Sequence, residues 1–281
     1  AVNPYITILG PLDSAATRMS MMGIANKAAW AIAPIFLGVF LNLSDVKLED
    51  IKMPFYFISG IFVLLGILVA FVPLPEVKAE GEDESDAEAM ASSYAAKKTS
   101  VWQFPHLLLG LVSLLCYVGV ETLAMASIVD YAKSIGLADP QVYTSYTVIG
   151  MVAGYLVGVF FIPKYISQER AMFICAIIGI VSSLLVVFLP VHISIWFVAL
   201  LGLANSLMWP ALWPLAMKDL GKFTKTGSSL LVMAIVGGAI FPLLFGWLAD
   251  EFGDLQQAYW ICFPAYLMIF YYALSGHKIR V

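Results

Sequence analysis

Residues 171–190 read AMFICAIIGIVSSLLVVFLP, a stretch without a single charged side chain. A helix needs roughly 20 apolar residues to cross a hydrocarbon core about 30 Å thick, so this stretch predicts a membrane-spanning helix. Seven more stretches of similar length and character predict the same, namely 19–42, 54–73, 105–129, 142–162, 193–217, 228–249 and 257–275. Residues 1–9 are typical of the end of a further span. The chain is therefore predicted to be an all-α membrane protein with eight complete transmembrane helices and the end of another.

The composition supports a membrane protein and gives no sign of an enzyme. Hydrophobic residues make up 61% of the chain and charged residues only 12%, whereas a soluble domain carries about 25% charged residues. Cys116, Cys175 and Cys262 lie inside apolar stretches without metal or disulfide spacing, so we expect buried small hydrophobes. No paired catalytic acids, Ser-His-Asp set or histidine cluster is evident. We therefore predict no catalytic residue, no metal, no cofactor and no nucleic-acid partner.

Basic residues are unevenly distributed between the predicted spans. Cytoplasmic connections of membrane proteins are enriched in Lys and Arg. One set of alternate connections holds eleven of the fifteen basic residues, which are Arg18, Lys78, Lys97, Lys98, Lys164, Arg170, Lys218, Lys222, Lys225, Lys278 and Arg280. The other set holds Lys47, Lys52 and Lys133, and Lys27 lies within a span. The first set, which includes the C-terminus, is predicted to face the cytoplasm.

An acidic stretch separates the first two complete spans from the other six. Residues 75–100 carry seven carboxylates among many Ala and Ser residues. Such a stretch buries too little apolar surface to offset the entropy of ordering, so we predict a flexible cytoplasmic linker. The predicted organisation is the latter part of an N-terminal half over 1–74, the linker over 75–100, a C-terminal half over 101–276 and a cytoplasmic tail over 277–281.

Several short motifs occur in order along the chain. They are Asn3-Pro4 followed by Arg18, Tyr117-Val118-Gly119 with Glu121, Lys218-Asp219-Leu220-Gly221, Thr224-Lys225-Thr226-Gly227, Gly237-Gly238, and Phe245-Gly246-Trp247 with Asp250. This series resembles the fucose/glucose–galactose proton symporter family of the major facilitator superfamily. The resemblance implies a monomeric twelve-helix bundle of two six-helix halves, with a sugar site between them near the midplane. It also implies that the early helices, with two acidic residues important for proton coupling in the family, precede Ala1 in a longer protein.

Two charged residues are predicted to lie deep in the membrane. Lys27 is about 12 Å into its span at 1.5 Å per residue, and an intramembrane cation usually faces a cavity or a partner. It either extends to the cytoplasmic interface or faces the pore beside Asn26, and a pair with Glu121 is a further possibility. Glu121 is too deep for its short side chain to reach the interface. It is either a structural carboxyl group or the proton-coupling residue, because desolvation favours its protonated form.

An aromatic stripe is the candidate platform for a sugar. Asn205, Trp209 and Trp213 recur every four residues and so share one helical face, and Pro210 and Pro214 follow the two tryptophans. Sugars offer apolar C–H faces to aromatic rings and hydroxyls to amides, although such a stripe can also be plain packing. Prolines in a membrane helix allow a bend where the helix lines a cavity. The predicted substrate-binding residues are Asn3, Asn26, Lys27, Tyr117, Asn205, Trp209 and Trp213.

Glycines at helical spacing predict close helix contacts. Gly150, Gly154 and Gly158 form a double small-xxx-small pattern, which lets membrane helices approach closely. Gly237-Gly238 is expected to act in the same way.

The function predicted from these features and the resemblance is proton-coupled uptake of a monosaccharide of the fucose, glucose or galactose type. The transporter would lie in the inner (plasma) membrane and use the proton gradient as its energy source. Two alternatives are a uniporter or efflux transporter of another small solute, and a sugar sensor that does not transport.

Overall fold

The computed structural model describes residues 2–40, 50, 52–72 and 94–280. The chain divides into two compact units, Ala1–Ile24 with Lys78–Val281, and Ala25–Val77. The α-helices in chain order are α1 Val2–Ile8, α2 Ala15–Phe40, α3 Lys52–Phe71, α4 Pro105–Ser134, α5 Val142–Phe161, α6 Gln168–Phe188, α7 Val191–Ser206, α8 Met208–Met217, α9 Thr224–Met233, α10 Gly237–Phe252, α11 Leu255–Ala258 and α12 Cys262–Leu274. The described residues contain no β-strand, and the all-α prediction is confirmed.

Seven segments of the described chain are long and apolar enough to cross a membrane. They are Lys52–Phe71, Pro105–Ser134, Val142–Phe161, Gln168–Phe188, Val191–Met217, Gly221–Phe252 and Leu255–Lys278. Each coincides with a predicted span. The remaining predicted span, 19–42, falls on α2, and residues 41, 42 and 73 of the predicted spans lie outside the described residues. The total number of transmembrane helices stays a prediction.

The long span between Val191 and Met217 is interrupted where a proline requires it. Helix α7 ends at Ser206 and α8 begins at Met208, with Leu207 between them. Pro210 has no N–H to donate to the carbonyl of Ser206, and its ring crowds that carbonyl. At the same interruption the Ser206 hydroxyl donates to the carbonyl of Leu203 at 2.7 Å. The helix irregularity predicted from the prolines is confirmed.

Helix α4 is the centre of the larger unit. It packs against five other long elements, which are α5, α7, α8, α10 and α12. The contact with α10 is close because a Cβ on Gly237 would lie well inside van der Waals distance of the Leu115 carbonyl on α4. The packing role predicted for Gly237-Gly238 is confirmed.

The three glycines of α5 also allow neighbouring helices to approach closely. A Cβ on Gly150 would meet the backbone nitrogen of Leu203 at 3.1 Å. A Cβ on Gly154 would overlap Ser206 of α7, and one on Gly158 would overlap Ser20 of α2. The small-xxx-small pattern therefore brings α5 against two helices, and the packing prediction is confirmed.

Arg18 ties the short helix α1 to the start of α2. Its Nε donates to the carbonyl of Ile6 at 3.1 Å, and its Nη2 donates to the carbonyls of Thr7 at 3.0 Å and Pro11 at 3.1 Å. Its Nη1 donates to the hydroxyl of Ser14 at 2.8 Å. The last carbonyls of a helix have no partner within the helix, and a single guanidinium satisfies several acceptors here.

Cations predicted to share one side of the membrane meet at one end of the larger unit. Arg170, Lys218, Lys278 and Arg280 line one open cavity of about 540 Å³. Arg280 is paired there with Asp219 at 3.1 Å. Lys133, assigned to the opposite side, lies at the far end of α4. The clustering agrees with the predicted alternation of charge, while the side of the membrane that each end faces stays a prediction.

The predicted linker is described only at its end. Residues 75–93 lie outside the described residues, and Tyr94–Lys97 forms a turn of 3-10 helix. Ala95 in this turn is buried, and the Tyr94 ring meets that of Phe104 edge-on at 5.5 Å between centroids. The division into two six-helix halves and a linker stays a prediction.

Candidate functional site

Glu121 lies close to the middle of α4. At 1.5 Å per residue it is about 24 Å from Pro105 and about 20 Å from Ser134. The residue is only partly buried. An ionisable side chain at this depth is expensive in a bilayer and usually faces the bundle interior or a water-filled cavity. The position is therefore suited to a carboxyl group that exchanges a proton with water.

Two buried tyrosines lie close enough to Glu121 to interact with it electrostatically. Tyr117 lies one helical turn earlier on α4, on the same face of the helix as Glu121. Tyr155 lies on α5, which packs against α4. Both tyrosines are buried, with 1% and 3% of their surface exposed. The prediction that Tyr117 accompanies Glu121 is supported by this arrangement, whereas Tyr155 was not predicted.

The aromatic stripe begins on the other side of Tyr117. The Tyr117 and Trp209 ring centroids are 6.0 Å apart, and those of Trp209 and Trp213 are 5.5 Å apart. Trp213 is completely buried, and Trp209 is only partly buried. Trp209 is thus the ring of this pair that keeps exposed surface, and Trp213 packs behind it.

Asn205 supplies a buried amide in the same region. Its Oδ1 accepts a hydrogen bond of 2.9 Å from the Tyr266 hydroxyl on α12. Its Nδ2 is buried and has no hydrogen-bond partner in the described structure. An unsatisfied buried donor costs about 1–3 kcal/mol, so an oxygen that came within reach of this nitrogen would be stabilising. Tyr266, like Tyr155, was not singled out in the sequence, because its partner lies far away in the chain.

The predicted site residues from the early part of the chain are more scattered. Asn3 is half-buried on α1, and its carbonyl accepts a hydrogen bond of 2.9 Å from the Thr7 hydroxyl. Asn26 and Lys27 belong to the smaller unit, in which Asn26 is exposed and Lys27 is buried. The roles of these residues in binding, and a pair between Lys27 and Glu121, stay predictions.

A sequence profile of the Major Facilitator Superfamily matches residues 5–235. The chain belongs to this superfamily. A glucose/galactose transporter from Brucella abortus biovar 1 (strain 9-941) is 32% identical over 99% of this chain and 68% of that protein. An L-fucose-proton symporter from Escherichia coli (strain K12) is 24% identical over 97% of this chain and 67% of that protein. The chain thus spans about two thirds of each relative, and the family resemblance found in the sequence is confirmed.

Solved structures give the same superfamily fold. The fucose:proton symporter of E. coli matches with a TM-score of 0.80 and 23% sequence identity, over 98% of this chain and 72% of that one. A second structure of that transporter, in the outward conformation, matches equally well. The family profile and the 32% identical relative, together with the apolar helices, place the protein among multi-pass membrane transporters of the Major Facilitator Superfamily and not among enzymes.

Proposed function

We propose that the protein is a proton-coupled monosaccharide symporter of the inner (plasma) membrane. The names of its relatives, which include a glucose/galactose transporter and an L-fucose-proton symporter, support a sugar as substrate. Two six-helix halves would alternate access by rocking around a central site. The full transporter would have twelve helices, act as a monomer in the lipid bilayer and place its C-terminus in the cytoplasm.

The observation that carries this proposal is the composition of the centre of the larger unit. A carboxyl group, an aromatic ring with free surface and a buried amide donor occur together there, in Glu121, Trp209 and Asn205. Trp209 would stack on the C–H face of the sugar, while Asn205 Nδ2 would donate to a sugar hydroxyl. Tyr117 lies one helical turn before Glu121 on α4, and its ring centroid is 6.0 Å from that of Trp209.

Glu121 would carry the proton. Low polarity around a carboxyl group favours its neutral form, and access to water favours the ionised one. A change of access during the transport cycle would therefore load and release the proton. The proton gradient would supply the energy, and no cofactor would be required.

Transport by the full-length protein in proteoliposomes tests the proposal. Labelled fucose, glucose, galactose and mannose are offered separately under an inward proton gradient, with and without a protonophore. Accumulation of one sugar that the protonophore abolishes is the expected result and identifies the substrate. Equilibration without accumulation would refute proton coupling, and a lack of uptake of every sugar would refute sugar transport.

A further inference from the structure

An open cavity at one end of the larger unit, called the basic cavity below, carries a surplus of positive charge. Its volume is about 540 Å³. Its charged lining side chains are four cations and two anions, which are Arg170, Lys218, Lys278 and Arg280 with Glu169 and Asp219. Asp219 is already paired, because its Oδ2 lies 3.1 Å from Nη2 and 3.2 Å from Nε of Arg280. With His277 counted as neutral, the basic cavity has two more positive than negative charges.

Three of the cations are not neutralised by a carboxylate. In the part of the chain that the structure describes, Arg170, Lys218 and Lys278 form no ion pair. All three residues are exposed, so they can approach a ligand without losing an existing ionic partner. Cations gathered in one cavity repel one another and attract an anion. The basic cavity is therefore suited to a negatively charged ligand.

The basic cavity lies at the ends of three membrane helices. Arg170 is in the first turn of α6, Lys218 directly follows α8, and Lys278 follows α12. The headgroup region of a bilayer begins where the apolar spans end. Basic pockets between membrane helices can bind the headgroups of anionic phospholipids. The depth of the cavity therefore matches that of a lipid phosphate group.

A second cavity, called the apolar cavity below, lies between α5, α6 and α7 and has a volume of about 130 Å³. Ile166 and Ala171 line it next to the first turn of α6, close in sequence to Arg170. Ile174 and Ile178 line it about one and two turns further along α6. The apolar cavity therefore extends from the level of the basic cavity toward the middle of the helix.

The lining of the apolar cavity is suited to a hydrocarbon chain. Val157, Phe161 and Ile174 are exposed in the described structure, so the cavity is accessible from outside the bundle. Its one hydroxyl group, that of Ser206, already donates to the carbonyl of Leu203 at 2.7 Å. A polar ligand would find little to bind there, whereas an acyl chain would contact apolar side chains along its length.

We propose that the two cavities together bind one anionic phospholipid. Its phosphate group lies among Arg170, Lys218 and Lys278, and one of its acyl chains lies in the apolar cavity. Both cavities reach the first turn of α6, and a helix with its side chains is only about 10–12 Å across, so a single lipid can reach both. The bound lipid joins the ends of α6, α8 and α12 and stabilises this end of the larger unit.

Native mass spectrometry of the full-length protein in a nonionic detergent measures the binding without a label on the lipid. Dioleoyl phosphatidylglycerol and dioleoyl phosphatidylcholine are titrated in parallel, because they share their acyl chains and differ in net charge. We expect phosphatidylglycerol to bind more tightly by about tenfold or more. Inorganic phosphate at millimolar concentration should not displace it, because phosphate makes no contact with the apolar cavity.

The double variant Arg170→Gln with Lys278→Gln tests the basic cavity. Each Lys or Arg near an anionic lipid contributes about fivefold in affinity, so this variant should bind phosphatidylglycerol about 25-fold more weakly and phosphatidylcholine as before. Lys164→Gln with Lys222→Gln is the matched control, because it removes the same charge from two exposed residues that do not line the cavity. The control should stay within about threefold of the wild type, since solvent and salt screen exposed charges.

Val157→Trp tests the apolar cavity by filling it with a larger side chain. We expect it to weaken the binding of phosphatidylglycerol by about threefold or more, because the acyl chain loses its packing contacts. Leu156→Trp is the control, because Leu156 is the neighbouring exposed residue of α5 and does not line the cavity.

The opposite results would overturn the inference. Equal affinities of the wild type for the two lipids, or an equal loss in both double variants, would show that the basic cavity does not select the anionic lipid. Displacement by inorganic phosphate would indicate a site for free anions, and unchanged binding to Val157→Trp would exclude the acyl chain from the apolar cavity. The comparison of lipids and of phosphate uses the wild type alone, so it decides the matter even if a variant fails to fold.

Discussion

Substitution of Gly23 by alanine should weaken the contact between α2 and α5. The new Cβ would lie 2.7 Å from two carbons of the Tyr155 ring, whereas non-bonded carbons are stable about 3.5–4.0 Å apart. The ring or the helix must therefore move by close to 1 Å. Overpacking of this kind costs about 1–3 kcal/mol. The equilibrium between the arrangement with α2 on α5 and a separated one should then shift by about 5- to 150-fold.

Labelling of a buried cysteine measures this shift. Ser20 on α2 is fully buried against α5, so Ser20→Cys should react with a small maleimide only when the helices separate. The three native cysteines are first replaced by serine. We expect Gly23→Ala to raise the labelling rate at Ser20→Cys by about 5- to 150-fold.

A second substitution identifies the ring as the cause. Tyr155→Ala removes the atoms that the new Cβ would meet, so adding Gly23→Ala to Tyr155→Ala should leave the labelling rate nearly unchanged. Gly246→Ala is the control for the glycine substitution itself, because nothing lies within 4 Å of a Cβ at that position. An unchanged rate in Gly23→Ala, or an equal increase with and without the Tyr155 ring, would refute the reasoning.

Three further substitutions test other parts of the structure. Glu121→Gln should abolish proton-driven accumulation and preserve sugar exchange, because an amide cannot ionise. Asp130→Asn on the same helix should change neither activity. Accumulation of sugar by Glu121→Gln would show that Glu121 does not couple transport to protons. Gly237→Ala should lower the free energy of unfolding by about 1–3 kcal/mol by pushing α10 from α4, while Gly246→Ala on α10 should not destabilise, as thermal unfolding in detergent can show. Arg18→Ala should lower the free energy of unfolding by about 1.5–3 kcal/mol, the contribution of a hydrogen bond to a charged group, because water can replace the donor at the exposed acceptors. An unchanged melting temperature would contradict the role of Arg18 in joining α1 to α2.

The site was only partly predictable from the sequence. Tyr117 and Glu121 were found because residues four apart share a helical face, which is a local property of α4. The same rule grouped Trp209 with Trp213 but could not tell that one retains free surface and the other is buried. Burial of an aromatic ring depends on which helices pack around it, and no pattern within a single helix reports that.

Tyr155 and Tyr266 illustrate what was missed. Each is a tyrosine among apolar residues, with nothing nearby in the sequence to suggest a polar partner. Gly23, against which the Tyr155 ring packs, and Asn205, which accepts from Tyr266, lie on other helices and come close only after the bundle has formed. Asn205 was a candidate already, but its unpartnered Nδ2 could not be foreseen.

The sequence by itself determined that the chain is a bundle of membrane helices, where most of them lie, and that glycines would bring some of them close. These properties follow from hydrophobic length and from residue spacing within single helices, which the bilayer imposes on each span separately. Only the tertiary structure decided that the Tyr155 ring fills the space left by Gly23 and that the Tyr266 hydroxyl reaches Asn205. Contacts between helices depend on the rotation and depth of both partners, which no single span contains.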